Sequence, residues 1–235
     1  MNAGLVLGIE TSGKSTGLAL AESGNIIAEM VEDSSCGHNE VLMPLLDHLF
    51  RDAGVKVGEL SGIGVDIGPG MFTSLRVGTS TAKGLAIAHR IPIVGLGSLW
   101  SLARTARPAL DRVLSLIDAR KQQVYAALYL ERRPAIPPLV ISPEELVSKV
   151  GSALTGRTRL AIAGNGAGIC ADPLTAAGVE LELTGIEIPS PGVLAIEAGE
   201  RIKKGLADEL ATIEPLYLRR TDAELTREQE LGPKR

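Results

Sequence analysis

Residues 8 to 15 read GIETSGKS, which matches the phosphate-cradling pattern G-x-x-x-x-G-K-[ST] letter for letter. Such a loop lays backbone amides around phosphates, with Lys14 on the terminal phosphates and Ser15 on magnesium. It needs a helix starting at Lys14, because the helix N-terminus helps hold the anion. Residues 16 to 21 read TGLALA and stop at Ser23 and Gly24, too short a run for a credible helix. Glu10 also sets a carboxylate inside the loop. A β-hairpin turn is the expected structure.

Other chemistry-bearing patterns are weaker. Gly164, Gly166 and Gly168 in AIAGNGAG follow a strand-like run, but residue 169 is Ile where the dinucleotide fingerprint needs its third Gly, so a tight strand-to-helix turn is expected. His38, His48 and His89 form no HExxH or HxxxH pair. His48 and His89 fall on helices at positions that suit a surface or C-terminal role, and His38 opens a helix. Cys36 and Cys170 form no CxxC pair, so both read as free thiols of a reducing compartment. No protease constellation is present.

The elements that must position these residues follow from hydrophobic patterning. Leu5 to Ile9, Gly17 to Ala21 and Ile26 to Val31 are short apolar runs separated by turn signals, as in an antiparallel meander. Val41, Leu42, Leu45, Leu46, Leu49 and Phe50 recur at helical spacing, predicting a helix over His38 to Ala53, with Gly54 as its stop and Pro44 near its first turns. A strand at Ile63 to Ile67 runs into Gly68, Pro69 and Gly70. A helix from about Thr73 to His89 follows, with Gly78, Ala82 and Ala86 forming a nearly flat face. Strand Ile91 to Leu96, helix Ser98 to Arg107, a hairpin of Val113 to Asp118 with Val124 to Leu130 around ARKQQ, a proline-rich stretch, helix Pro143 to Val150, strand Leu160 to Ala163 and helix Pro191 to Leu206 complete the pattern.

A three-stranded meander followed by α-β-α-β-α is the order of a ribonuclease-H-like domain, the half-unit of actin-like ATPases. The expected organisation is a first such domain over 1–108, a smaller and degraded second one over 109–218 whose late helix can pack back on the first, and a charged, mobile tail over 219–235. In an actin-like domain an acid ending the first strand, followed by small hydroxyl residues, faces nucleotide phosphates and their metal across a cleft. Glu10, Thr11 and Ser12 stand in that order.

Composition bounds the partners. The 235 residues carry 24 Lys+Arg against 28 Asp+Glu, a formal charge of -4, and only 3% aromatics. An autonomous nucleic-acid binder needs clustered basic charge or aromatic stacking platforms, so that class is disfavoured. At 45% hydrophobic and 22% charged the chain is of ordinary globular composition. No window approaches the roughly 18 apolar residues of a membrane span, and the N-terminus lacks a signal-peptide pattern. A cytoplasmic protein is expected.

The opening LGIETS, the segment HNEVLMP from His38, the stretch IGVDIGPGMFTSLRVGTSTAKGLAIAHRIPIVGLGSL, the later SLIDARKQQVY and the closing PLYLR together resemble the TsaB (YeaZ) family across essentially the whole chain. The resemblance implies an actin-like fold of two ribonuclease-H-like halves with mixed five-stranded sheets. It also implies a non-catalytic subunit that pairs with the transferase TsaD in forming N6-threonylcarbamoyladenosine at position 37 of tRNAs reading ANN codons, with TsaE as an ATPase in the larger complex. TsaD carries a metal-binding HxEGH, and laying the GPG segments of both families together places it on Ser98, Leu99, Trp100, Ser101 and Leu102. Neither Ser nor Leu replaces an imidazole ligand, so no metal and no intrinsic cofactor are expected. ATP or ADP could lie at the interface with TsaD, near Glu10, Thr11, Ser12, Gly68, Pro69 and Gly70.

In the family two helices of the first domain pack against their TsaD equivalents as a four-helix bundle. The expected partner face is His38, Val41, Leu42, Leu45, Leu49, Phe72, Arg76, Gly78, Ala82 and Ala86, used for a homodimer when the chain is alone. On this reading Gly78→Glu or Ala82→Arg abolishes pairing and leaves the monomer folded. tRNA contact is expected mainly from the other subunits, and no membrane contact. The chain departs from the family in having Glu10 where Asp is usual, and GPGMFTSLR where GPGSFTGLR is common. The rival reading is an independent P-loop ATPase using Lys14 and Ser15, with Asp66 or Asp118 as its acid, and a third is a metal-dependent peptidase.

Overall fold

The computed structural model describes residues 4–34, 37–107, 111–131, 133–154 and 159–219. Cys36, residues 108–110 of the expected domain boundary and the charged tail from 220 onward lie outside the described residues.

The chain opens with strands β1 (Leu5–Glu10), β2 (Ser15–Glu22) and β3 (Asn25–Asp33). They form an antiparallel meander in which Glu10 pairs with Gly17 and Leu5 with Glu22. The segment after GIETSGKS is therefore a strand, so the phosphate-loop reading fails. Its six residues from Thr16 to Ala21 are all buried, as a strand covered on both faces requires.

Helix α1 (His38–Ala53) follows, and Gly54, left-handed at φ 68°, ends it by donating its N–H to Arg51 O. Pro44 sits on the exposed side of α1, where its missing N–H removes only one early helical bond. Strand β4 (Leu60–Gly68), helix α2 (Phe72–His89), strand β5 (Ile93–Gly97) and helix α3 (Ser98–Ala106) complete the first unit. Its sheet has the order β3-β2-β1-β4-β5, with β4 parallel to both β1 and β5.

The second unit contains β6 (Val113–Arg120), β7 (Gln123–Leu130), β8 (Arg133–Ile141), α4 (Pro143–Ala153), β9 (Arg159–Ala163), α5 (Ala167–Ala176) and β10 (Glu180–Leu183). Its sheet has the order β10-β9-β6-β7-β8. The proline-rich stretch is edge strand β8, and an edge position is where Pro134, Pro137 and Pro138 are tolerated. Cys170 is a buried free thiol in the core under α4 and α5, and burial pushes it up to about 11. Two mixed five-stranded sheets in this order make the actin-like fold.

Helix α6 (Pro191–Lys203) begins at Ser190, whose hydroxyl accepts from Gly192 N and Val193 N. It returns to the first sheet, so the second lobe ends near β10 rather than at 218. The chain stays there: Asp208 N donates to Ile93 O at 2.9 Å, and Ile213 is buried in the first core. α6 lies on the sheet face opposite α1 and α2, and it comes unusually close. A Cβ on Gly8 would stand 2.0 Å from Pro191 O, and one on Gly64 would stand 2.4 Å from Leu194 O. Helix α3 joins the lobes, since Leu99, Leu102 and Ala103 pack with Val113, Ala127 and Ala161 of the second sheet. Among the described residues no helix is long and apolar enough to cross a membrane.

Gly8→Ala must push α6 off the sheet, and a loss of about 1–3 kcal/mol is expected for such overpacking. Gly151→Ala, in α4 with nothing among the described residues within 4 Å of the added carbon, is the contrast. It should stabilise by about 0.5–1 kcal/mol through helix propensity. Urea denaturation midpoints of the two variants check both signs.

Candidate functional site

Two turns of the first lobe meet one wall of the second at a cleft of about 350 Å³. Ser12, Gly13 and Lys14 of the β1–β2 turn, with Gly70 and Met71 beyond β4, form one side. Ile117, Asp118, Ala119 and Arg120 of β6, Tyr125 of β7 and Asn165 ahead of α5 form the other. The first-lobe turns touch: Met71 N donates to Ser12 O at 2.9 Å, and a Cβ on Gly70 would stand 2.5 Å from that same oxygen.

Asp118 organises the opposite wall. Its N–H donates to Asn165 Oδ1 at 2.9 Å, and its Oδ1 accepts from Arg120 N at 2.8 Å. The Arg120 guanidinium lies 3.6 Å from Asp118 Oδ2. Arg120, Lys121 and Gln122 have φ of 63, 51 and 55°, a left-handed run that costs non-glycine residues about 1–2 kcal/mol each. Arg219 Nη1 donates to Ala119 O at 2.9 Å, which brings the last described residue to the rim. Burial raises the Tyr125 phenol, and the charge of Arg219 pulls it partly back. Lys14 and Arg120 thus offer one cation on each side of the cleft, a suitable pair for an extended anion.

The expected nucleotide-proximal residues divide. Ser12 and Gly70 line the cleft. Glu10 does not, because strand alternation sends residues 6, 8 and 10 to the face under α6, where Glu10 is fully buried. It cannot hold a metal facing the cleft. Thr11 is also fully buried and points to α2, where a Cβ on Gly78 would stand 2.2 Å from its Oγ1. Gly68 and Pro69 are buried behind the turn. Arg120 and Asn165 carry no sequence signal, since each belongs to a segment legible only as a turn, and no spacing ties a hairpin of one lobe to a loop of the other.

The expected partner face is corrected more heavily. Leu42, Leu45, Leu49, Ala82 and Ala86 are core residues of the first lobe, and Gly78 is buried against Thr11. Gly78→Glu or Ala82→Arg would therefore strike the monomer itself. His38 is 7% exposed, its Nε2 has no partner among the described residues, and its ring bonds to the backbone of Ser15 and Gly13. Burial lowers its pKa, and those bonds offset part of the shift. Val41 is half-buried against the same core.

Only Phe72 and Arg76 of that set are exposed. They form a cluster with Tyr217: the Arg76 guanidinium lies 4.0 Å over the Phe72 ring, the Phe72 and Tyr217 rings stack at 4.9 Å, and Arg76 Nε donates to Tyr217 Oη at 3.1 Å. Met43, Met71 and Ile87 are the other large apolar side chains that α1, α2 and the residue before α2 expose.

At the positions where the resemblance places the TsaD motif, Ser98 is fully buried and donates from Oγ to Asp66 Oδ1 at 2.5 Å. Leu102 is fully buried among apolar side chains. Both are structural.

A family model described as TsaD, tRNA N6-adenosine threonylcarbamoyltransferase, matches residues 25–226. The tRNA threonylcarbamoyladenosine biosynthesis protein TsaB of Bacillus subtilis (strain 168) is 36% identical over 124 residues, which cover 53% of this chain and 54% of that protein. The chain thus spans about half the length of that relative. The TsaB of Haemophilus influenzae is 26% identical over 233 residues, covering 91% of this chain and 93% of that protein. The solved structure of YeaZ from Pseudomonas aeruginosa superposes with a TM-score of 0.76 at 27% identity, covering 92% of this chain and 100% of that one. The chain belongs to the family of the TsaD model and, within it, to the TsaB (YeaZ) branch.

Proposed function

We propose that this chain is a non-catalytic subunit of the machinery that forms N6-threonylcarbamoyladenosine at position 37 of ANN-decoding tRNAs, pairing with TsaD and holding it in a working conformation. The observation that carries this reading is the fate of the metal motif. The resemblance sets Ser98 and Leu102 at the positions of metal-ligating histidines of TsaD, and both are spent on packing: Ser98 bonds Asp66, and Leu102 fills the joint between the lobes. The fold is retained with its chemistry replaced by structure, as suits a partner of the enzyme it resembles.

The pairing face is the outer side of α1 and α2, with Phe72, Arg76 and Tyr217 at its centre. Aromatic and Arg side chains are the residue types that dominate interface energetics. In this proposal the ATPase TsaE joins the larger complex, a homodimer through the same face forms when TsaD is absent, and tRNA is held mainly by the other subunits. The interlobe cleft supports a second element of the reading: adenine nucleotide held there by Lys14 and Arg120 when TsaD is paired. The residues fit an anion held by side-chain cations; they do not fit a metal bridged by Glu10.

Reconstituted tRNA modification should fall sharply when this chain is omitted, and full activity of the remaining components would sink the proposal. Phe72→Ala combined with Arg76→Ala should weaken pairing with TsaD tenfold or more, as for hot-spot residues, with the urea midpoint of the isolated chain near its original value. Calorimetric titration of ATP into the paired protein should show about tenfold weaker binding for Lys14→Ala and for Arg120→Ala, the scale of one lost charged hydrogen bond.

A further inference from the structure

Gly8 and Gly64 keep side chains out of the path of α6, and two residues further along the same two strands stand Glu10 and Asp66. Both are fully buried. Each carboxyl has one committed oxygen. Glu10 Oε1 accepts from Ser12 N at 2.7 Å and from Ser12 Oγ at 2.5 Å, while Asp66 Oδ1 accepts from Gly68 N at 2.7 Å and Ser98 Oγ at 2.5 Å. The second oxygen of each, Glu10 Oε2 and Asp66 Oδ2, is sealed from water and has no donor among the described residues. Ile9 and Val65 are direct partners in the parallel ladder, so the next residues are side by side on one face, on strands about 4.8 Å apart.

Among the described residues no cation acts on this pair. On α3, Arg104 stacks over Trp100. On α6, Arg201 is bonded to Glu197 and also lies over Trp100. On α2, Arg76 and Lys83 bond Tyr217 and Ile213 O. Lys14 lies at the cleft, and Glu22 of β2 is exposed at the far end of its strand. Two carboxylates this close in a dry site cannot both ionise. We infer that Glu10 and Asp66 share one proton near neutral pH, with Glu10 Oε2–H donating to Asp66 Oδ2, and that this pair is a pH-sensitive clamp on the two turns bordering the interlobe cleft. The clamp acts through the committed oxygens: Glu10 fixes Ser12, and Asp66 fixes Gly68 and the start of α3.

Burial raises both groups, Glu10 to about 8 with the charge of Asp66 adding to the effect, and Asp66 to about 7. A carboxyl raised in the folded state holds a proton that the unfolded chain has released, so its contribution is complete below about pH 4 and is lost as pH rises through 7 to 8. Glu10→Gln puts a permanent N–H donor where the shared proton sits. The folding constant of the unaltered chain, relative to that of Glu10→Gln, should fall about tenfold per pH unit between pH 5 and 7, and Asp66→Asn should behave alike.

Infrared spectroscopy of the full chain at neutral pH should show a protonated-carboxyl carbonyl band that Glu10→Gln removes. Protection factors at Ser12 and Gly68, the exchange rates corrected for the base-catalysed intrinsic rate at each pH, should fall above about pH 8 in the unaltered chain alone. Absence of that band, or stability profiles that run parallel for the unaltered chain and both variants, overturns the inference. The infrared measurement needs no variant to fold.

Discussion

Helix α6 rests with its backbone directly on the first sheet, and that contact governs how the rest of the molecule closes. A side chain at Gly8 or Gly64 would collide with carbonyl oxygens of Pro191 or Leu194, atoms that cannot swing aside as a flexible side chain can. The close approach brings the Pro191 ring against Gly17, the ladder partner of Glu10. It thereby sets the dryness of the carboxyl site and the level of the two turns above it. It also returns the C-terminal segment to the first lobe, where Leu216 N donates to Ile67 O at 2.6 Å. Tyr217 is thereby delivered to Arg76, so the exposed cluster on α2 depends on a helix that lies on the opposite face of the sheet.

The second constraint is α3. One helix of nine residues carries Ser98 toward Asp66 of the first sheet and Leu99, Leu102 and Ala103 into the second. Any motion between the lobes must bend or slide this element, and its first turn is fixed by the same carboxyl pair that fixes the β1–β2 turn. The cleft is therefore bordered on its first-lobe side by backbone whose position answers to one buried site.

Most of the fold is legible in the sequence because most of it obeys a simple period. Leu42, Leu45, Leu46 and Leu49 announce α1, and the short runs of the meander announce β1 to β3. The hairpin around ARKQQ is equally plain. Edge strands β8 and β10 are not, since RPAIPPLVI and ELEL lack the continuous apolar run of a buried strand, and α5 carries Pro173 within ten residues. The stripe of Gly78, Ala82 and Ala86 shows the limit of pattern reading. Small residues at helical spacing permit close packing but do not say against what, and here the neighbours are the chain's own β4 and Thr11 just beyond β1. For the same reason the exposed residues of α1 and α2, such as Met43 and Ile87, carry no sequence signal: an apolar residue outside the stripe looks like noise until the core has been filled. The acid at Glu10 was legible as special, though not its direction, because a single residue of register decides whether it meets a cleft or a helix.

The low aromatic content acquires a different meaning once positions are known. With 2 Phe, 3 Tyr and 1 Trp in the chain, a stacked Phe72–Tyr217 pair at the surface is a large share of a small supply. Exposing two aromatic rings costs hydrophobic burial that a core would otherwise gain, and a guanidinium over one of them leaves both rings in fixed orientations. A face ordered in this way on a chain with a net charge of -4 is suited to another protein surface rather than to a phosphate backbone. The few basic residues at the interlobe cleft are divided between its two walls and partly engaged by Asp118. They suffice for one small anion and fall far short of the basic surface that a tRNA needs. The division of labour proposed for this subunit follows from where its few aromatic and basic side chains are placed.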